Sequence, residues 1–473
     1  MNTILFNDSY TMKEKCGIFG IYGKGLEAAR LTYFGLYSLQ HRGQESSGIS
    51  TADGKTIRTH KATGLVTQVY TEPDLQKLKG YIAIGHNRYS TSGGSISDHN
   101  QPVAGKNDIV ALVHNGNLPV TKKLVRFLSS RGLYTQGLND SELIHLAIKY
   151  FVVKKHSLEQ AIIKSYPLFT GAFCLLVMTK DNMVAVRDHY GIRPLSIGRV
   201  NGGYVIASET CAIDTVDGEY IRDVLPGEMI VISNKGMKSC QIATPNQKLD
   251  IFEFVYFSRP DSLLLGKRVY SVRRNLGKEL AKEYPIKADI VIPVPDSSIP
   301  AALGYSSELN LPCEFGLVKN RYIWRTFIMP GKRLRHRSVK MKHNAIPEII
   351  KGKKVVLIDD SIVRGTTAKT LVRTLRDAGA DKVHILISCP PVTFPDFYGI
   401  DTASQKELIA SHKTVLQIKK HIGADSLYFL SYKGLIKATG LPESIFCTAC
   451  FTGNYPISIG KHANKIKTPV SKM

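Results

Sequence analysis

The sequence predicts two α/β domains in tandem, and three observations carry that reading. Up to about residue 242, short β-like runs punctuated by glycine are separated by only a few helical stretches. Such a pattern suits two sheets packed face to face with helices outside. From Phe252 on, the order turns to helix, strand, helix, strand, and two of those strands are apolar throughout, as strands buried on both faces of a parallel sheet are. Between the two regimes lies the segment 234–250, with Gly236, Pro245, two Asn and several Lys, which reads as a linker.

In the first domain, strands are expected at 17–23, 81–85, 109–113, 172–178, 183–186 and 229–232, where β-branched and aromatic residues run together. Helical periodicity marks 28–40, 122–130 and 141–153. In the second domain, strands 290–294 and 354–359 are each followed by a helical pattern, at 299–309 and 368–379. There is no internal repeat and no low-complexity tract.

Composition excludes several classes. At 43% hydrophobic and 22% charged, the 473 residues are ordinary globular material, neither disordered nor collagen-like. The longest apolar run, 172–178, is far short of the ~18 residues that cross a bilayer, so no membrane partner is expected. The first fifteen residues include Asp8 and Glu14 and lack a secretory apolar core. Eight cysteines in a chain of this size are too sparse for a disulfide scaffold, which points to a reducing compartment, the cytoplasm. The 63 basic residues outnumber 39 acidic ones, a net charge of +24. They are spread widely, with one dense run at 319–342 and no accompanying zinc-finger or RNA-reading motif. Nucleic acid is not expected; anionic small substrates or a lysine-rich coding bias that only colours the surface account for the excess equally well.

The sharpest motif is Val355-Val-Leu-Ile-Asp-Asp-Ser-Ile-Val-Arg-Gly-Thr-Thr367. A hydrophobic strand ends in Asp359 and Asp360, then a Gly/Thr-rich turn opens a helix. Gly365, Thr366 and Thr367 put backbone N–H groups and hydroxyls at a helix N-terminus, a ready anion site. The two aspartates stand at the carboxyl end of a strand, where open α/β sheets bind ligands, and accept hydrogen bonds from sugar hydroxyls. This string resembles the phosphoribosyl pyrophosphate (PRPP) loop of the type I phosphoribosyltransferases. Ile292-Pro-Val-Pro-Asp-Ser-Ser298 resembles the loop that holds pyrophosphate and its metal in the same fold. The basic stretch from Lys319 to Lys342 resembles a loop that closes over PRPP, with Trp324 where members carry glycine.

The first half resembles the N-terminal-nucleophile (Ntn) glutaminase domain. The motifs are Lys15-Cys-Gly-Ile-Phe-Gly20, Leu39-Gln-His-Arg-Gly-Gln-Glu45, Gly85-His-Asn-Arg-Tyr-Ser-Thr91, His114-Asn-Gly-Asn-Leu118 and Asn139-Asp-Ser-Glu142, in that order. Together the two halves resemble the glutamine phosphoribosylpyrophosphate amidotransferase family over residues 16–456, nearly the whole chain.

That resemblance implies an αββα sandwich at 16–240, a type I phosphoribosyltransferase domain with a mainly parallel sheet at 252–456, and a basic tail at 457–473. It implies that 1–15 is a propeptide whose removal exposes Cys16 as nucleophile. A freed α-amine, with a pKa near ~7.7 to 8.0, then serves as the thiol's base. Asn115 and Gly116 match the oxyanion hole, and Arg88, Thr91 and Asp140 match the glutamine clamp. Arg42 and Gly43 shape the pocket behind Cys16. PRPP contacts fall on Asp359, Asp360, Ser361, Arg364, Gly365, Thr366, Thr367, Lys319 and Arg321, and Mg²⁺ on Ser297, Asp359 and Asp360. The implied reaction makes 5-phosphoribosylamine, glutamate and pyrophosphate from PRPP, glutamine and water, the first step of purine synthesis. Ammonia would pass between the sites internally. Feedback by purine nucleotides and a homotetramer are typical of the family. His41, His86 and His114 are read as structural, as are the stretches 188–194 and 207–211.

Some members also hold a [4Fe–4S] cluster, and Cys447-Thr-Ala-Cys450 has the spacing of two of its ligands. At the other two positions this chain carries Asp250 and Asp396. Hard carboxylates suit a soft cluster poorly, which argues against one.

Overall fold

The computed structural model describes residues 16–88, 99–105, 108–320, 343–399 and 404–470. The expectations for 1–15, Thr91, Arg321 and Trp324 lie outside the described residues.

The first domain is the expected four-layer sandwich. One antiparallel sheet has seven strands, in spatial order Glu219–Asp223, Ser196–Val200, Gly203–Ala207, Gly17–Tyr22, Ile82–Arg88, Ser46–Ala52 and Ile57–Thr63. The other has five, in the order Gly236–Gln241, Glu228–Ser233, Met183–Arg187, Thr170–Met178 and Ala111–Val120. Between the sheets Ile18, Ile84, Val113, Leu176 and Ile230 interdigitate with no exposure. Helix Ala28–Ser38 covers the outer face of the first sheet through Leu36, against Phe19 and Ile49. Helices Asp140–Val153 and Leu158–Ser165 cover the second through Ile144, Ile148 and Ile162. Each sheet thus buries both faces, which is why its central strands read as apolar runs.

The second domain is built on a four-stranded parallel sheet, in the order Ile290–Pro293, Lys354–Asp359, Lys382–Ile387 and Ser426–Phe429. Helix Val269–Glu283 packs on Ile299–Leu309 and Tyr432–Thr439, while Thr366–Asp377 packs on Val415–Ile422. Val356, Leu357 and Ile358 are essentially unexposed, and each such side chain removed from water contributes about 1.5–3 kcal/mol.

Two segments differ from their sequence reading. Within the stretch read as a linker, Gly236–Gln241 forms the edge strand of the five-stranded sheet, paired to Glu228–Ser233 from end to end. Its Gly-Met-Lys-Ser-Cys-Gln sequence is polar because one side of an edge strand faces water. The start of the basic tail is not a free appendage. Ile457 and Ile459 are buried with Ala172 and Ile192 of the first domain and Tyr398 of the second.

Candidate active sites

Cys16 is half-buried and stands directly before the central strand Gly17–Tyr22, so the sheet fixes where its thiol begins. Ile18 N–H donates to Ser208 Oγ at 3.0 Å, and Ser208 N–H donates back to Ile18 O at 3.0 Å. The Asn115 amide reaches the same Ser208 hydroxyl at 3.4 Å. Ser208, read from sequence as architecture, therefore ties the strand that follows Cys16 to Asn115. Behind the thiol, a Cβ on Gly17 would stand 3.1 Å from Leu39 Cβ and 3.4 Å from Arg42 Cβ, so that space is already filled.

Arg42 is fully buried and bridges the two domains. It pairs with Glu209 through Nε, with Glu253 Oε2 through Nη2 at 2.6 Å, and with Ser258 Oγ at 3.1 Å. Glu209 also accepts from Ser262 Oγ at 2.6 Å and Arg259 N–H at 2.8 Å, and lies 2.7 Å from His41 Nε2. Burial works to raise its carboxyl, but Arg42 and His41 overcome that and hold it well below the usual range. Sequence reasoning missed Glu209 and Glu253. For Glu253 a lone acidic residue in an apolar context was the available signal, whereas Glu209 sat in the stretch 207–211 that read as architecture.

Gly116 has φ +149°, and a Cβ there would fall 2.1 Å from Ala172 O, so no other residue fits. Asn115, its neighbour, is buried in the same strand. Asp140 opens the helix Asp140–Val153, capped by Asn139, and its Oδ2 accepts Leu118 N–H at 3.0 Å. That brings a carboxylate beside the Asn115–Gly116 strand. Arg88 ends strand Ile82–Arg88, buried, with Nη1 3.5 Å from Asn100 Oδ1. Gly43 approaches it so closely that a Cβ would meet the Asn87 and Arg88 backbone within 2.8 Å. The three histidines have structural partners. His114 Nδ1 is 3.0 Å from Ser141 Oγ, His86 Nε2 is 3.2 Å from His114 O, and His41 holds Glu209. Burial, with Arg88 and His114 nearby, pushes His86 down to about 3, so it stays neutral.

At the second site, adjacent parallel strands bring their carboxyl-end loops together. Ser297 Oγ donates to Asp360 Oδ2, Ser298 Oγ to Asp359 Oδ1 at 3.3 Å, and Ser361 Oγ to Asp360 Oδ1 at 2.7 Å. Burial raises both aspartates, and the Asp360 charge raises Asp359 further. Two carboxylates so placed favour an incoming cation. Gly365 takes φ +78° and starts helix Thr366–Asp377, which leaves Thr366 and Thr367 in its first turn. Lys319 Nζ lies 3.0 Å from Asp296 Oδ2 on the wall of a cavity of about 580 Å³, shared with Phe315, Asn320 and Asn344. Arg364 instead pairs with Glu407. Asp296 and Ser298 were not singled out from sequence, since a Pro-Asp-Ser turn is common.

The oxygen donors Asp359, Asp360 and Ser297 fit Mg²⁺, which is ordinarily held by one or two carboxylates with substrate phosphates and water completing the octahedron. Asp250, Asp396, Cys447 and Cys450 are all buried; Arg193 pairs with the two carboxylates, which in turn lie near both thiols.

Comparison with known proteins follows the same division. A glutamine amidotransferase domain model matches residues 86–215, and a phosphoribosyl transferase domain model matches 262–426. The chain is 47% identical to the amidophosphoribosyltransferase of Bacillus subtilis over 459 residues, 95% of each protein. The chain belongs to the amidophosphoribosyltransferase family. Other members include the Synechococcus elongatus enzyme, 46% identical over 96% of this chain and 94% of that one. The archaeal enzyme of Methanocaldococcus jannaschii is 44% identical over 94% of this chain and 98% of its own. The solved structure of the B. subtilis PRPP amidotransferase complexed with ADP and GMP superposes with a TM-score of 0.88 at 46% identity, covering 94% of this chain and 98% of that one. This chain is thus an enzyme of the amidophosphoribosyltransferase class, joining a glutamine amidotransferase domain to a phosphoribosyltransferase domain. No helix among the described residues is long and apolar enough to cross a membrane.

Proposed function

We propose that Cys16 hydrolyses glutamine and that the ammonia released displaces pyrophosphate from PRPP at Asp359–Asp360, giving 5-phosphoribosylamine for purine synthesis. The observation that carries this is the convergence of both residue sets in one chain. Cys16, Asn115 and Gly116 gather at one end of the sandwich, Asp359, Asp360 and Ser297 at the carboxyl end of the parallel sheet, and Arg42 with Glu253 joins the two domains through a buried ion pair.

In this reading the Cys16 thiol, its proton taken by the freed α-amine, attacks the glutamine carboxamide. The Asn115 amide and Gly116 N–H hold the tetrahedral oxyanion. Arg88, with Thr91, binds the α-carboxylate and Asp140 the α-ammonium, as bidentate guanidinium and carboxylate suit those charges. At the second site Asp359 and Asp360 orient the ribose and favour the positive charge that develops at its anomeric carbon. Gly365, Thr366 and Thr367, with Ser361, cradle the 5-phosphate. Lys319 faces the pyrophosphate loop, with Arg321 in the basic segment beyond it. Mg²⁺ held by Asp359, Asp360 and Ser297 would neutralise charge on the leaving pyrophosphate. Ammonia is mostly protonated and poorly nucleophilic in water, so an internal route between the sites preserves it.

The cytoplasm, a homotetrameric assembly and inhibition by purine nucleotides belong to the same reading. Support for the last is the binding of ADP and GMP by the B. subtilis relative. A PRPP-sensing regulator on this fold is disfavoured by the Cys16, Asn115 and Asp140 set, which a sensor has no use for. Paired assays separate the two: with PRPP and glutamine the protein is expected to release glutamate and pyrophosphate in equal amounts, and to show no DNA retention at physiological salt. DNA retention without pyrophosphate release would sink the enzymatic reading.

A further inference from the structure

In members that carry a [4Fe–4S] cluster, four cysteines converge where this chain has Asp250, Asp396, Cys447 and Cys450. Here the two carboxylates are already engaged. Arg193, with no exposure at all, places Nη1 3.0 Å from Asp250 Oδ2 and 3.3 Å from Glu253 Oε1, and Nη2 3.6 Å from Asp396 Oδ1. Among the described residues no group of three or more His, Cys, Asp or Glu side chains is disposed to hold a metal ion. With Asp250 and Asp396 already ion-paired to Arg193, two hard oxygens and two thiols do not fit a [4Fe–4S] cluster.

The same ion pairs have a second consequence. Tyr398 N–H donates to Asp396 Oδ1 at 2.8 Å, and Arg193 Nε donates to Tyr398 O at 3.0 Å, so both backbone groups of Tyr398 are fixed. The chain then runs directly onto the glutaminase site. Asn117 Nδ2 donates to Phe397 O at 2.8 Å. Gly399, at φ +108°, lies so close to Gly116 that a Cβ on it would stand 3.1 Å from the Gly116 Cα and carbonyl carbon. The second domain thus presses residues 397–399 along the strand that carries the oxyanion N–H. Displacing such a donor by an ångström can cost on the order of a hundredfold in rate.

We propose that Arg193, Asp250 and Asp396 form a metal-free clasp that stands in place of the cluster and holds residues 397–399 against Gly116, making Arg193 and Asp396 positioning residues for glutamine hydrolysis. The proposal rests on the reading of Gly116 as an oxyanion donor.

The test uses the full-length enzyme purified without oxygen. Iron, sulfide and zinc are expected far below one per chain, with activity unchanged after exposure to air. Asp396→Asn keeps an acceptor for Tyr398 N–H but removes the charge facing Arg193. Gly399→Ala leaves the ion pairs intact and forces the contact with Gly116 apart, so it decides the matter if Asp396→Asn does not fold. Each is expected to lower kcat for glutamine hydrolysis about tenfold to a hundredfold with a smaller change in KM for glutamine, while ammonia-dependent pyrophosphate release stays within about twofold. Equal loss of both reactions marks a merely structural role and overturns the proposal. So does wild-type glutamine hydrolysis in Gly399→Ala, or four irons per chain in the native protein. A wild-type enzyme that releases pyrophosphate with ammonia but hydrolyses no glutamine would instead overturn the parent reading of the first site.

Discussion

Replacing Asp359 and Asp360 together with asparagine is expected to abolish pyrophosphate release with either nitrogen source, glutamine or ammonia. Losing a single well-placed electrostatic group commonly costs ~10² to 10³ in rate, and here two carboxylates and the metal position go together, so a fall on the order of 10³ or more is expected. The change should not destabilise the protein. Asp360 is buried and Asp359 half-buried; burial raises both carboxyls and the Asp360 charge raises Asp359 further, so neutral amides relieve a cost rather than create one. The melting temperature should hold or rise while activity disappears. A variant that keeps more than about a tenth of its ammonia-dependent rate would remove the two aspartates from the reaction, and one that loses activity by unfolding would show a lowered melting temperature.

Cys16→Ala should divide the two reactions. Without the thiol there is no acyl-enzyme, so glutamine-dependent synthesis should drop to background. Synthesis with concentrated ammonia should persist, because the loops around Asp359 and Asp360 belong to a separate core with its own parallel sheet. The measurement is pyrophosphate release under saturating PRPP with each nitrogen donor in turn. Retained glutamine-dependent synthesis would mean that another group is the nucleophile. Equal loss of both would mean that Cys16 serves the structure rather than the chemistry.

What could be read from the sequence follows from which elements bury both faces. Strands Gly17–Tyr22, Thr170–Met178 and Lys354–Asp359 are apolar runs because sheets or helices cover them on each side. Strand Ser46–Ala52 is equally buried but escaped notice. Its Ser-Ser-Gly-Ile-Ser-Thr-Ala sequence is small and polar because neighbours crowd it, with Gln101 O only 2.1 Å from where a Gly48 Cβ would stand. The polar edge strand Gly236–Gln241 was hidden for the opposite reason, exposure. The residues Cys16, Asn115, Gly116, Asp140, Asp359 and Asp360 stand out because the motifs around them resemble those of the family. Their supports did not. Ser208, Glu209, Arg193 and Glu253 come from distant parts of the chain, and only the fold brings them to the sites. Arg193 in particular sat in a stretch that read as architecture, yet from the first domain it holds Asp250 of the connecting segment and Asp396 of the second domain.

The central claim is that the working enzyme begins at Cys16, with a titratable amine beside its thiol. N-terminal sequencing of a preparation that consumes glutamine at full rate tests it most directly. Cysteine in the first cycle, followed by Gly-Ile-Phe-Gly, is the expected reading. A fully active preparation that still begins with any residue ahead of Cys16 would contradict it.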